Sequence, residues 1–381
     1  MLGIAMQPLS TATGNIGFGI AVGCALPNLP QFRAELAVLL RQGWMRLLLA
    51  WIAWTLLSMT WSPDPRFGLE QLKAIRVLLW IPVLWPLRER WRHLVGAILA
   101  GTTVMAILQA TQVELGWPKA KFAVGSGLTT PTQTGLWAAV SISFWLILTV
   151  SARPMIALAT LPLAMLSGVG LAWSATRASA IGLGVELVVA NVVLALTSRG
   201  WLVRAAIRCL IGLAILGSAA TFAGRHLQRK MTVAVASVQN SQGVTSEVRL
   251  DMWKAALQGW RQAPIAGVGA GGIPSVMRST SVTHPKVDLR SVTMIHSTYI
   301  QALTETGVVG LSLLLGFLAL LYRDALRGLR HRPMLIAGFG GLVVWTVAAA
   351  FDGYQQSGGF LTVGAILIPL ALADERPRDA A

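Results

Sequence analysis

Apolar residues in this chain come in long blocks, and the charged residues gather in the gaps between them. A bilayer core of about 30 Å takes roughly 20 apolar residues as a helix. Blocks of that order lie near 10–28, 44–60, 71–87, 94–113, 133–151, 154–173, 179–197, 202–222, 297–322, 334–351 and 357–373. They predict an all-α, polytopic integral membrane protein with eleven or twelve transmembrane helices. The open number comes from the N-terminal segment, where no charge precedes Arg33. Its 32 residues make about 48 Å of helix, room for one long tilted helix or two short ones.

The blocks divide the chain into an N-terminal transmembrane bundle of about eight helices (1–222), one long polar loop with short helices (223–296), and C-terminal transmembrane helices with a short tail (297–381). Inside the loop, 246–261 (SEVRLDMWKAALQGWR) has helical periodicity. Ser246 suits its N-cap, and Gly259, Pro264 and the Gly267–Gly272 run suit its end. Leu250, Trp253, Leu257 and Trp260 form an apolar stripe. Arg249 falls at the edge of that stripe, beside Trp253, Ala256 and Trp260. It suits either a snorkelling side chain covering apolar surface or a guanidinium fork for phosphate. The run 264–272 (PIAGVGAGG) lacks the Gly-Lys-Ser/Thr of a Walker loop and does not sit in a βαβ unit. It reads as a tight backbone turn, with phosphate cradling as the alternative.

Composition sharpens this picture. Charged residues are 12% and apolar residues 55%, whereas a soluble domain carries about 25% charged residues. Disorder, collagen and coiled coil are excluded by the same figures. Cys24 and Cys209 are the only cysteines, too few for a disulfide framework or a zinc ligand set; both sit in apolar stretches and read as small core residues. With no basic n-region before the first apolar block, a cleavable signal peptide is not expected. The net charge is +16. In an apolar chain such an excess points to anionic lipid or to the positive-inside bias, and nothing resembles a nucleic-acid-binding module. Arg33, Arg41 and Arg46, then Arg88, Arg90 and Arg92, Arg153, Arg199, Arg204 and Arg208, and Arg323, Arg327, Arg330 and Arg332 fall in alternate gaps. This places those gaps in the cytoplasm. Residues 61–70, 114–132, the Arg177 turn, 223–296 and the Asp352 turn then face outward. The long outward loop nevertheless carries a net +6, which suits an anionic ligand as well as a solvated loop. Trp44, Trp61, Trp85, Trp91, Trp117, Trp173 and Trp201 lie near proposed helix ends, where indole suits the headgroup layer. Lys119 and Lys121 in an outward loop could meet anionic lipid, or simply be solvated.

The helix that follows the long loop opens on His296-Ser297-Thr298-Tyr299-Ile300, followed by Leu303, Glu305, Gly307, Gly310 and Leu311. This resembles the His-Asn/Ser-x-Tyr-Leu/Ile-x-x-Leu-x-Glu-x-Gly-x-x-Gly-Leu pattern of the O-antigen ligase family, a group that also takes in O-antigen polymerases and protein O-oligosaccharyltransferases. The Ser58–Pro65 segment (SMTWSPDP), the Arg177 turn (ATRAS, with Ala175 departing from the family pattern) and Arg249 with Trp253, Pro264 and Gly267-Val268-Gly269 are similar to further segments of that family.

The resemblance implies a GT-C-type membrane glycosyltransferase. Such a ligase moves an O-antigen glycan from undecaprenyl pyrophosphate to a sugar hydroxyl of lipid A–core oligosaccharide, at the periplasmic face of the bacterial inner membrane, with no metal and no cofactor. It also implies pyrophosphate contacts from Arg177 and Arg249, with His296 as the base. The chemistry is consistent: guanidinium groups at low dielectric can neutralise a departing diphosphate, and histidine has the intrinsic pKa to accept a hydroxyl proton near neutrality. Asp352 would orient His296 or pair with an arginine, unless it is a solvated turn residue. Glu305 lies half a turn of direction away from His296 and deeper, as a buried structural carboxylate needing partners. Gly307 and Gly310 would allow close helix packing. A polymerase or protein-glycosylating enzyme would share the site and differ in its acceptor. A carrier of lipid-linked sugars would share the helices, but the spans hold few charges and show no inverted repeat.

Overall fold

The computed structural model describes residues 1–25, 29–117, 128–151, 154–197, 202–218, 221, 246–285, 287–331, 335–353 and 358–373. Among them the chain is helical, with a single isolated bridge between His284 and Val287 as its only β-type pairing. The helices are α1 (Leu2–Met6), α2 (Thr11–Ala25), α3 (Leu29–Arg41), α4 (Gly43–Ser58), α5 (Pro65–Ile75), α6 (Trp80–Leu84), α7 (Trp91–Leu115) and α8 (Pro131–Ser151). They continue with α9 (Pro154–Trp173), α10 (Arg177–Thr197), α11 (202–218), α12 (Ser246–Gln262), α13 (Ile273–Ser279), α14 (Thr298–His331), α15 (Ile336–Ala348) and α16 (Gly358–Ala371).

The chain is an all-α polytopic membrane protein. By length and hydropathy four described segments qualify as spans: Pro65–Leu115, Pro131–Ser151, Arg177–Leu196 and Thr298–Leu329. The α3–α4 pair qualifies only together and is bent by 84°. Ala157–Trp173, Ile336–Ala348 and Leu361–Ala371 are apolar but shorter. The apolar blocks thus form helices, several of them short or bent. The N-terminal segment becomes two helices, α1 and α2, packed through Gly3 and Gly17. Two blocks, 71–87 and 94–113, join through 3-10 turns into one helical run.

Helices α4 and α14 pack antiparallel. Gly43 faces Leu320, Gly316 faces Leu47, and Trp54 Nε1 donates to Thr306 O at 2.9 Å. Helices α10 and α15 pair as closely, because a Cβ on Gly182 would stand 2.8 Å from Val344 O. This pairing carries the start of α10 toward the turn that follows α15.

Several residues assigned to helix ends are inside the bundle. Trp44, Trp85 and Trp173 are buried, whereas Trp61 and Trp117 are exposed; position 201 lies outside the described residues. Arg208, counted as a loop arginine, is fully buried in α11. It pairs with Glu186 of α10, and Ser143 of α8 and Asn191 join them. Arg88 is also buried and meets Glu35 at 2.7 Å. A carboxylate in reach lets an arginine leave water, and hydropathy along one chain does not reveal that partner.

The glycine run docks into a break in α14. Gly307 has φ +68° and interrupts the helix. Below the break, Val308 N and Val309 N donate to Pro264 O and Ile265 O at 2.9 and 3.3 Å. Above it, Thr304 O and Glu305 O accept from Val268 N and Gly269 N, both at 2.9 Å. Gly267, Gly269 and Gly271 all have positive φ, and the backbones of Glu305, Ser62 and Gly68 fill the space a Cβ would need. The Ser58–Pro65 segment holds the other side. Ser58 Oγ accepts from Ala270 N at 3.1 Å, Trp61 Nε1 donates to Gly267 O at 3.2 Å, and Asp64 caps α5 through Phe67 N.

Candidate functional site

His296 precedes α14 and adopts φ +48°, a region in which a non-glycine residue is uncommon and costs on the order of 1 kcal/mol or more. The residues on either side fix it. Trp253 Nε1 donates to Ile295 O at 2.8 Å. Two residues on, Thr298 N donates to Ala349 O and Asp352 O, both at 3.0 Å, and Thr298 Oγ1 also donates to Asp352 O at 2.8 Å. The turn after α15 is thereby tied to the start of α14. Asp352 Oδ1 stands 3.6 Å from His296 Nδ1, within ion-pair reach though longer than a hydrogen bond. The same oxygen accepts from Gly353 N at 2.9 Å, so the carboxylate is held while the histidine, one quarter exposed, stays accessible. Because Nδ1 faces the carboxylate, Nε2 is the nitrogen left for other chemistry.

Helix α12 carries Arg249 to this place. Its buried face is Val248, Met252, Ala255 and Ala256. The expected stripe is offset from this face: Leu250 is exposed, because the alanines let the helix approach α14 while the larger side chains flank the contact. Gly259 does not end the helix. It sits against Val276 of α13 and α12 runs on to Gln262. The side chain of Ser246 lies outside the described residues. Arg249 is half-buried at the edge of the packed face, and its buried Nε has no hydrogen-bond acceptor among the described residues. Burial lowers its pKa from the ordinary arginine value; nearby Asp352 opposes that shift and nearby Arg177 adds to it.

Arg177 begins α10 and is exposed. It follows a tight turn in which Ala175 has φ +53° and Ser174 Oγ lies 2.8 Å from Thr176 Oγ1. Its electrostatic influence on Arg249 and the α10–α15 pairing both bring it toward the Asp352 turn. Arg177, Arg249, His296 and Asp352 therefore converge, from four separate stretches of chain.

Glu305 stands apart, seven residues into α14 and so roughly 10 Å along the helix. Fully buried, it accepts from Gln71 Nε2 and Gly271 N, both at 3.0 Å, and from Gln301 Nε2 at 3.1 Å. It locks the glycine loop to α5 and α14. The phosphate-cradle alternative for that loop is overturned by its own bonding: the amides of Gly267 through Gly272 all donate to protein acceptors. Among the described residues no group of three or more His, Cys, Asp or Glu could hold a metal ion. Positions 119, 121 and 223–245, with their basic residues, lie outside the described residues.

The sequence places Trp253 in an apolar stripe and in the family-like segment that follows Arg249, with no site role, and does not single out Phe351 or Thr298. Trp253 lies one helical turn from Arg249, and Phe351 is adjacent to Asp352. That spacing was the available signal; the contact between them was not.

Residues 162–315 match the family model described as O-antigen ligase. The match takes in Arg177, Arg249, His296 and Glu305 and stops before Asp352. No curated protein matches the chain significantly.

Proposed function

We propose, from the premise that residues 162–315 match the O-antigen ligase family, that this chain transfers an O-antigen glycan from undecaprenyl pyrophosphate to a sugar hydroxyl of lipid A–core oligosaccharide. The reaction would take place at the periplasmic face of the bacterial inner membrane, on a GT-C-type fold. The observation that carries the reading is the convergence of two arginines with a histidine–carboxylate pair. Arg249 is partly desolvated, has an Nε–H with no acceptor among the described residues, feels the charge of Arg177, and lies near the carboxylate that faces His296. Two like charges drawn together in the free protein are relieved by a diphosphate between them.

In this mechanism His296 Nε2 accepts the proton of the acceptor hydroxyl, and Asp352 steadies the imidazolium through Nδ1. The hydroxyl oxygen forms a bond to the anomeric carbon. The bond from that carbon to the diphosphate oxygen breaks, and its electron pair leaves with the lipid diphosphate. Arg249 and Arg177 take up the developing charge. Attack opposite the leaving group inverts the anomeric centre.

The test is lipopolysaccharide from a deletion strain complemented with wild type or His296→Ala. The ligase reading expects bare core, with polymer retained on its lipid carrier, in the deletion and in His296→Ala but not with wild type. Core carrying one repeat would indicate a polymerase. Intact lipopolysaccharide with a missing glycoprotein would indicate protein glycosylation. With purified protein, a divalent-metal chelator should leave the transfer rate unchanged.

A further inference from the structure

Trp253 touches both halves of the histidine–carboxylate pair through the residue next to each. Its indole N–H donates to Ile295 O at 2.8 Å, the carbonyl of the peptide that leads into His296. Its ring packs against Phe351, which precedes Asp352, with centroids 6.4 Å apart. On the same helix it follows Arg249 by one turn. His296 holds a left-handed backbone, a conformation that persists only where the surroundings over-determine it. The bond from Trp253 restrains the peptide on the N-terminal side, and the Thr298 bonds to Ala349 and Asp352 restrain the other. Indole is the side chain for this task because it combines a broad apolar face with a single donor at its edge. Phenylalanine would keep the first and lose the second.

We infer that Trp253 is the positioning residue of this site: it sets the spacing of His296, Asp352 and Arg249 without itself touching the reacting atoms. The inference rests on the proposed function for its effect on turnover, but not for its effect on the geometry of His296.

The test uses the purified full-length chain with Trp253→Phe, and Phe351→Leu as a second variant that keeps the indole bond. One readout is transfer turnover at saturating donor, normalised to folded protein. The other is the rate at which diethyl pyrocarbonate modifies His296, mapped by mass spectrometry, with His284 of the same extramembrane region as internal reference. Trp253→Phe should slow turnover about tenfold, leave donor KM within twofold, and speed modification of His296 several-fold while His284 is unchanged. Phe351→Leu should move the same two readouts in the same direction by a smaller factor. Unchanged His296 reactivity in both variants, or an equal rise at His284, overturns the positioning role. If His296→Ala retains turnover while Trp253→Phe still alters His296 reactivity, the base assignment fails and the positioning role stands.

Discussion

Arg249 is under opposing influences. Burial disfavours its charge, Arg177 disfavours it further, and Asp352 compensates in part. An arginine kept in such a place, with a buried N–H that no described residue accepts, is suited to an anion with several acceptor oxygens. Arg249→Ala should lower glycan transfer about 100-fold or more, the scale of losing one charge-stabilising donor, while the protein still reaches the membrane. Arg249→Lys should recover little, since an ammonium cannot reproduce the planar fork. The check is a transfer assay with purified protein; wild-type rates in the alanine variant would remove the diphosphate clamp. The part of this legible in sequence was the edge position of Arg249 on its helix. That Arg177 would join it on one pyrophosphate came only from the family resemblance, and for Asp352, 103 positions on, the sequence left open an arginine partner, His296 or solvent.

The docking of the glycine loop into α14 is an event between elements. A helix broken at Gly307 exposes carbonyls above the break and amides below it, and loop 264–272 satisfies both sets. The loop is therefore part of the helix's hydrogen bonding, which is why its amides are not available to a ligand. Gly307→Ala should destabilise by about 2–3 kcal/mol or more, from the left-handed φ together with the contact its Cβ would make with Ile265 O. Gly184→Ala, inside α10 where a Cβ meets nothing within 4 Å, should not destabilise and should gain up to about 1 kcal/mol from helix propensity. Thermal unfolding in detergent compares the two, and equal effects would contradict the account. Sequence showed the glycines and suggested helix packing for Gly307. It left two readings open for the loop, because a tight turn and a phosphate cradle draw on the same backbone freedom.

Across the whole molecule, Arg208, Glu186, Ser143 and Asn191 join three helices at a fully buried polar cluster. Removing one partner of a buried ion pair leaves the other charge uncompensated. Glu186→Leu or Arg208→Leu alone should thus cost about 3–5 kcal/mol, and the double variant much less. Membrane accumulation and melting of the three variants measure this; additive losses would mean that the pair does not act as a unit.

The sequence by itself determined that this chain is a bundle of apolar helices and that a histidine opens the one after the long loop. Hydropathy and helical period are local and additive, so they can be summed along a single chain. Only the tertiary structure decided which arginines are buried, which face of α12 is packed, and that Trp253 spans the histidine–carboxylate pair. Each of these depends on which group from a distant stretch of chain stands within a few ångströms. Charge–charge and hydrogen-bond energies are set by that separation, and no local pattern encodes it.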